Sequence, residues 1–253
     1  MRYLVISDVH GDLCALEAVL ADAPAHDAVL FLGDALDFGP EPEECVQRLR
    51  AVSSVWVQGN HDAAIGNGEP GDGWSSSRLS STSRARLADL PEVVALEGLT
   101  VRHFFRPGVT PPFAEDFGAF ATPLCLIGHT HVPFLYTRGR TGDRVRLEPP
   151  LNQPIELGEE RAIVNPGAVS LSFLDPNVSS YLMCEVDGRR TTLTWRALAR
   201  SAAGAVERLR ANGAPAALVA DQGVYAAGAL PVMRETAAGH RAWAAGLAYS
   251  ASR

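Results

Sequence analysis

The sequence predicts an α/β protein, doubly wound at its start, antiparallel further on and helical at its end. Three observations carry this expectation: short continuous apolar runs early in the chain, amphipathic stretches between them, and a later series of strand-like runs with no helix separating neighbours. YLVI (3 to 6) and AVLFL (28 to 32) have the unbroken apolar character of strands buried on both faces of a sheet. Between them, DLCALEAVLADA sets Leu13, Leu16, Val19 and Leu20 on one helical face, with Asp12 placed to cap the helix. The unit then repeats. EPEECVQRLRAV (41 to 52) has Glu43 and Glu44 in its first turn and Arg48 and Arg50 near its end, as the helix dipole favours, and VWV (55 to 57) returns as a strand.

Residues 66 to 83 are rich in Gly and Ser around a lone Trp74 and read as a long loop, placed to act as a lid or to lie as mobile surface. Further strands are expected at 99 to 104, 124 to 127, 133 to 138, 144 to 148, 161 to 164, in the 180s and at 191 to 195. From about 198 the chain becomes Ala-rich, with AAGAVERLRANG and PAALVADQG as short helices. The expected division is one domain over 1–197 and a helical extension over 198–253 packed on or near it.

Length and composition suit one large core. The 253 residues are 47% hydrophobic and 20% charged, with mean hydropathy near zero, a globular profile. A net charge of -7 weighs against a broad phosphate-tracking face, so nucleic acid is not expected beyond nucleotides or short strands. Cys14, Cys45, Cys125 and Cys184 form no CxxC pair, and three of them sit in apolar patterns, which reads as reduced core thiols. No apolar run reaches the ~18 residues of a membrane span, and the expected location is the cytoplasm.

Chemistry collects at the predicted strand ends. VISDVHGD carries Asp8 and His10, LFLGDALDFG carries Asp34 and Asp37, WVQGNHD carries Asn60 and His61, TVRHF carries His103, and LIGHTHVP carries His129 and His131. In open α/β sheets, ligands bind beyond the carboxyl ends of the strands. Carboxylates, an amide oxygen and up to five imidazoles in one crevice need positive charge to organise them, and nitrogen and oxygen donors without thiolate suit Mn, Fe or Zn. A structural zinc needs only four ligands, so the surplus points to two ions. Asp8 and His10, like His129 and His131, are two apart, which in extended chain sends both side chains to one face. Gly33, Gly59 and Gly128 stand just before these residues, where the backbone must turn or be approached closely.

Taken in order, D-x-H, G-D, G-N-H-D, a solitary His and G-H-x-H resemble the calcineurin-like metallophosphoesterases over roughly residues 1 to 135, and NPGAVS (165 to 170) resembles their small bacterial and archaeal branch. The resemblance implies a β-sandwich flanked by helices and a dinuclear centre. Asp8, His10 and His131 would hold one divalent ion, Asn60, His103 and His129 the other, and Asp34 both; manganese is expected first, with iron, zinc or nickel as alternatives. It also implies hydrolysis of a small phosphoester by a hydroxide bridging the ions, with His61 as acid, Asn60 near the phosphate, and Asp62 orienting His61 or capping the next helix.

Two departures bear on substrate. Phe104 follows His103 where Gly is usual, and Phe38 stands where protein serine/threonine phosphatases of the same superfamily carry a phosphate-clamping Arg. Unless Arg78, Arg84 or Arg106 enters the site, this favours a phosphodiester or small nucleotide-like phosphate, with a phosphomonoesterase (including a protein phosphatase) or a non-catalytic scaffold of the same fold as alternatives. Trp74, Phe104, Phe105 and Phe134 are candidates to line a pocket, Asn165 is expected in a tight turn, and His26 and His240 at the surface. The Ala-rich tail is placed to roof the crevice, to pack on the sheet or to form an oligomer contact.

Overall fold

A computed structural model describes residues 1–106, 112–140, 142–188, 190–229 and 238–242. The start consists of β1 (Arg2–Ile6), α1 (Leu13–Asp22), β2 (Ala28–Phe31), α2 (Pro42–Val52) and β3 (Val55–Trp56), but it is not doubly wound as expected: α1 and α2 both pack on one face of the strands, because the other face is taken by the second sheet. Asp12 caps α1 by accepting from the Ala15 N–H, and α2 opens on Pro42 with Glu43 and Glu44 in its first turn and Arg50 in its last.

The stretch expected as a long loop is built otherwise. After α3 (Asn60–Gly66) it folds into α4 (Trp74–Arg78) and α5 (Ser81–Ala88). Ser80 caps α5, Arg84 donates to the carbonyls of Ile65 and Ser76, and Trp74 is buried, its indole N–H bonded to Gly39 O. These ties replace the backbone partners that a Gly- and Ser-rich segment lacks by itself.

Next come β4 (Val93–Leu96), β5 (Leu99–Arg102), a 3-10 turn (Ala114–Ala119), β6 (Leu124–Leu126), β7 (Phe134–Gly139), β8 (Gly142–Leu147), β9 (Ile155–Leu157), β10 (Arg161–Asn165), β11 (Val178–Asp187) and β12 (Arg190–Ala199), then α6 (Ala202–Ala211) and α7 (Ala216–Ala226). Two mixed six-stranded sheets result, in the orders β3-β2-β1-β11-β12-β9 and β4-β5-β6-β10-β7-β8. β1, β2 and β3 run parallel, as do β5, β6 and β10, while the remaining pairings are antiparallel.

Strand alternation explains the unbroken apolar runs. Leu4, Ile6, Val29 and Phe31 face α1 and α2, meeting Leu16, Val19, Val46 and Leu49, whereas Tyr3, Val5 and Leu30 point between the sheets against Leu99, Leu124 and Trp195. The outer face of the second sheet is covered by the 3-10 turn, where Phe117 and Phe120 pack on Phe134 and Ile163. Each large side chain taken fully from water in these layers contributes roughly 1.5–3 kcal/mol. Cys45, Cys125 and Cys184 are buried and Cys14 is exposed.

The tail is bound to the start of the chain. Arg200 and Arg208 donate to opposite oxygens of the Asp12 carboxylate at 2.6 and 2.7 Å, Arg208 also reaches Glu41, and Leu209 and Leu218 pack on Trp74. His240, expected at the surface, is buried near Phe134, while His26 is half-buried with its Nδ1 against Pro24 O. The expectation for residues 230–237 and 243–253 lies outside the described residues. No helix among the described residues is long and apolar enough to cross a membrane.

Candidate active site

The carboxyl ends of β1, β2 and β3 from one sheet, and of β5 and β6 from the other, open into the same cleft, and the loops leaving them are stitched together. Asp8 N donates to Gly33 O (3.0 Å) and His10 N to Asp34 O (3.1 Å). The backbone there is not extended: φ is 56° at Asp8, 47° at His10, 60° at Asp34, 69° at His129 and 56° at His131. This corrects the expectation that two-residue spacing along a strand aims the pairs. Left-handed turns aim them instead, a conformation that non-glycine residues hold only where the surroundings enforce it. Gly59 shows how close the loops come, since a Cβ there would collide with the Asp34 carboxylate.

Two groups of ligand-type atoms result, Asp8 with His10 and His131, and Asp34 with His103 and His129, the atoms of each lying within 4.8 Å of one another. Asn60 joins the second, its Oδ1 2.8 Å from His129 Nδ1. Backbone carbonyls set three of the imidazoles. The Nδ1 atoms of His10, His103 and His131 each lie 2.7 Å from the carbonyl oxygens of Leu36, Leu32 and Leu171. A carbonyl only accepts, so each Nδ1 donates, and in the neutral ring Nε2 is left with a lone pair.

Those lone pairs face other acceptors. His10 Nε2 and His131 Nε2 are 3.2 Å apart, with Asp8 Oδ1 3.2 Å from the latter. His103 Nε2 lies 3.0 Å from Asp34 Oδ2, yet it is buried without the geometry of a hydrogen bond. Buried acceptors turned on one another require a cation between them. The residues therefore fit the divalent ions that the ligand pattern implies. Where only protons serve, burial disfavours a charged His103, but the Asp34 carboxylate overrides it and raises the ring to about 9. Burial and the neighbouring His131 instead lower His10 to about 3, leaving it a neutral donor. Asp8 is held at about 2 against its burial by His131, and Asp34 stays well below the carboxylate range through His103 and His61.

His61 stands at the cleft mouth, its side chain 27% exposed, and its Nδ1 is 2.6 Å from Asp37 Oδ2. Burial opposes its charge, but Asp34 and then Asp37 raise it to about 9. Asp37 is thus the partner of His61. Asp62 does not orient it: its carboxylate accepts from the N–H groups of Asp34 (2.9 Å), Ala35 (2.9 Å) and Gly59 (3.2 Å), so it caps α3 and pins the Asp34 turn. Asn165 braces the last loop, donating to Gly128 O (2.7 Å) and Thr130 Oγ1 (3.0 Å).

The cleft encloses a cavity of about 220 Å³. Phe38 and Phe173 line it, with Phe173 stacked on His131 at 4.4 Å between ring centroids. Of the aromatics expected there, Trp74 and Phe134 belong to core clusters, Phe105 packs near Phe120, and Phe104 lies 5.1 Å from the His129 ring without lining the cavity. No arginine lines it among the described residues: Arg78 bonds Asn212 O, Arg84 bonds Ile65 O, and Arg106 pairs with Asp116. Gln222 and Tyr225 of α7 complete the wall, and no signal in the sequence picked them out.

Comparison with known proteins agrees with this geometry. A metallophosphoesterase of known crystal structure from Sphaerobacter thermophilus is 33% identical, the alignment covering 89% of this chain and 99% of that one at a TM-score of 0.75. A hypothetical protein of Pyrococcus horikoshii shares the fold at 13% identity and TM-score 0.59, over 87% of this chain and 97% of its own. An uncharacterised protein of Methanocaldococcus jannaschii is 26% identical over 70% of this chain and 79% of its own. Residues 1–189 match the calcineurin-like phosphoesterase superfamily domain. With its two mixed sheets, its two groups of ligand-type side chains and this match over most of its length, the chain belongs to the calcineurin-like phosphoesterase superfamily.

Proposed function

We propose that the protein is a two-metal phosphoester hydrolase acting on a phosphodiester or a small nucleotide-like phosphate. The observation that carries this reading is the set of imidazole lone pairs, fixed by backbone carbonyls, that face carboxylates and one another in the cleft. Asp8, His10 and His131 would hold one ion, Asn60, His103 and His129 the other, with Asp34 shared. Bound there, two divalent ions supply Lewis-acid charge at the phosphoryl group and acidify water.

The chain's own residues do the rest. Asp62 and Gly59 keep the Asp34 carboxylate in its turn. Asp37 accepts a hydrogen bond from the His61 Nδ1–H and holds the ring as the imidazolium, whose Nε2–H can protonate the leaving oxygen and leave a neutral ring, a contribution of roughly 10²–10⁴-fold. Asn60 stands one residue before His61, where its amide N–H₂ can donate to the phosphate. The diester preference is supported by the lack of a cavity-lining arginine among the described residues, since a dianionic monoester gains more than a monoanionic diester from a guanidinium clamp.

The test is hydrolysis of bis-p-nitrophenyl phosphate and p-nitrophenyl phosphate by metal-stripped protein reconstituted with Mn²⁺, beside Asp34→Asn. Faster diester turnover, lost in the variant, is expected. Full activity in Asp34→Asn overturns the shared role of Asp34, and two bound ions with no turnover of either ester overturns the hydrolytic reading.

A further inference from the structure

We propose that α7 forms the pocket for the organic group of the ester, with Gln222 and Tyr225 as specificity-determining residues for an uncharged, planar group. The proposal rests on the hydrolytic reading above for its phosphate and adds the class of substituent. The family match ends at residue 189, so α7 lies wholly beyond the shared domain and yet contributes two residues to the cavity. The ligand groups lie within the matched domain, and α7 brings to them a wall from outside it.

The lining away from the ligand groups is aromatic and aliphatic, with Phe38, Leu171, Phe173 and Tyr225. Such walls take flat rings well, and one amide among them provides a donor and an acceptor for orientation. That amide is the side chain of Gln222, a residue 9% exposed whose side chain makes no hydrogen bond to another described residue. Tyr225 is held still. Its O–H reaches Ser172 O at 3.3 Å and lies 3.4 Å from Arg200 Nη1, and the ring is 2% exposed.

Charge decides against a second anionic group. The sequence contains no lysine, and no described arginine lines the cavity. Arg200, the cation next to Tyr225, is committed to Asp12 at 2.6 Å with 4% of its side chain exposed. Among the described residues, a second phosphate or a carboxylate would be desolvated here with no counter-charge beyond the ions that grip the first phosphate and His61, which is already paired with Asp37.

The experiment is calorimetric titration of the Mn²⁺-reconstituted full chain with phenylphosphonate, methylphosphonate and 4-carboxyphenylphosphonate, repeated in Gln222→Ala and Gln222→Trp. Wild type is expected to bind phenylphosphonate at least tenfold more tightly than methylphosphonate, and the ring carboxylate to remove most of that preference. Gln222→Ala is expected to reduce the preference and Gln222→Trp to abolish it, with methylphosphonate affinity held within threefold. Substitutions of opposite volume at one position keep the test readable should one fail to fold. Equal wild-type affinity for phenyl and methyl ligands overturns the proposal, as does a parallel loss of both ligands in the variants. Undiminished binding of the carboxylated ring overturns its charge argument. Because binding is read without turnover, a phenyl preference in a protein that hydrolyses no ester would remove the hydrolytic reading and leave this one standing.

Discussion

Replacing Asp12 by Ala attacks the one carboxylate that joins the first helix to the tail. Asp12 accepts from Ala15 N at 3.1 Å, from Arg200 at 2.6 Å and from Arg208 at 2.7 Å, and its side chain is 3% exposed. Loss of the cap alone costs about 1 kcal/mol. The larger cost falls on Arg200, which is left buried with only the Pro176 carbonyl and the Tyr225 hydroxyl as partners, whereas Arg208 keeps Glu41. An uncompensated buried charge costs about 3–5 kcal/mol, and this dominates the sum. For a chain of this size that corresponds to a fall of roughly 10 °C in Tm. Thermal and urea unfolding of Asp12→Ala, Arg200→Met and the double variant give the assay. The double variant is expected to be more stable than Asp12→Ala alone, because removing both partners leaves no buried charge unpaired. If the double variant instead shows the additive loss of the two single ones, the pair is not coupled and the reasoning fails.

Other outcomes follow from the cleft and the core. His61→Ala is expected to lower kcat by roughly 10²–10⁴-fold with metal content unchanged, and Asp37→Asn to lower it less; metal analysis beside steady-state kinetics checks both. Asp62→Ala leaves three buried N–H groups without their acceptor, a loss of about 3 kcal/mol read by urea unfolding, and Asp62→Asn is expected to recover part of it. A disulfide-exchange reagent at pH 8 is expected to modify Cys14 alone in the native protein, because burial pushes the Cys125 and Cys184 thiols up to about 12 and that of Cys45 well above its ordinary range. Rapid reaction of more than one thiol would refute that burial.

Much of this architecture was legible in apolar patterning. The early strands and helices fall within a residue or two of their expected positions, because each buries a face whose period is written in the residues themselves. β4 and β9 escaped notice: each is short and half exposed, so neither shows a buried face. The ligand set could be read as strand-end residues, but its aim could not, since left-handed φ at Asp8 and His10 is imposed by the neighbouring Gly33 to Ala35 backbone. The partner of His61 was equally hidden. Asp37 and Asp62 are both aspartates near a turn, and only the folded loops decide which one meets the ring. Gln222 and Tyr225 reach the cavity through a docking fixed by Asp12 and Arg200, residues 188 apart in sequence.

The place of β1 in its sheet has a consequence for synthesis. It pairs on one side with β2, available almost at once, and on the other with β11, where Leu4 meets Met183 and Val5 meets Leu182. At translation rates of about 5–20 residues per second, its second edge waits roughly 10–40 s for a partner. During that interval an apolar strand edge stands open at the ribosome, a template for pairing with other chains. The stage at which this protein is most exposed to aggregation is therefore the nascent chain that has made the loops of its cleft and not yet the strand that closes the sheet behind them.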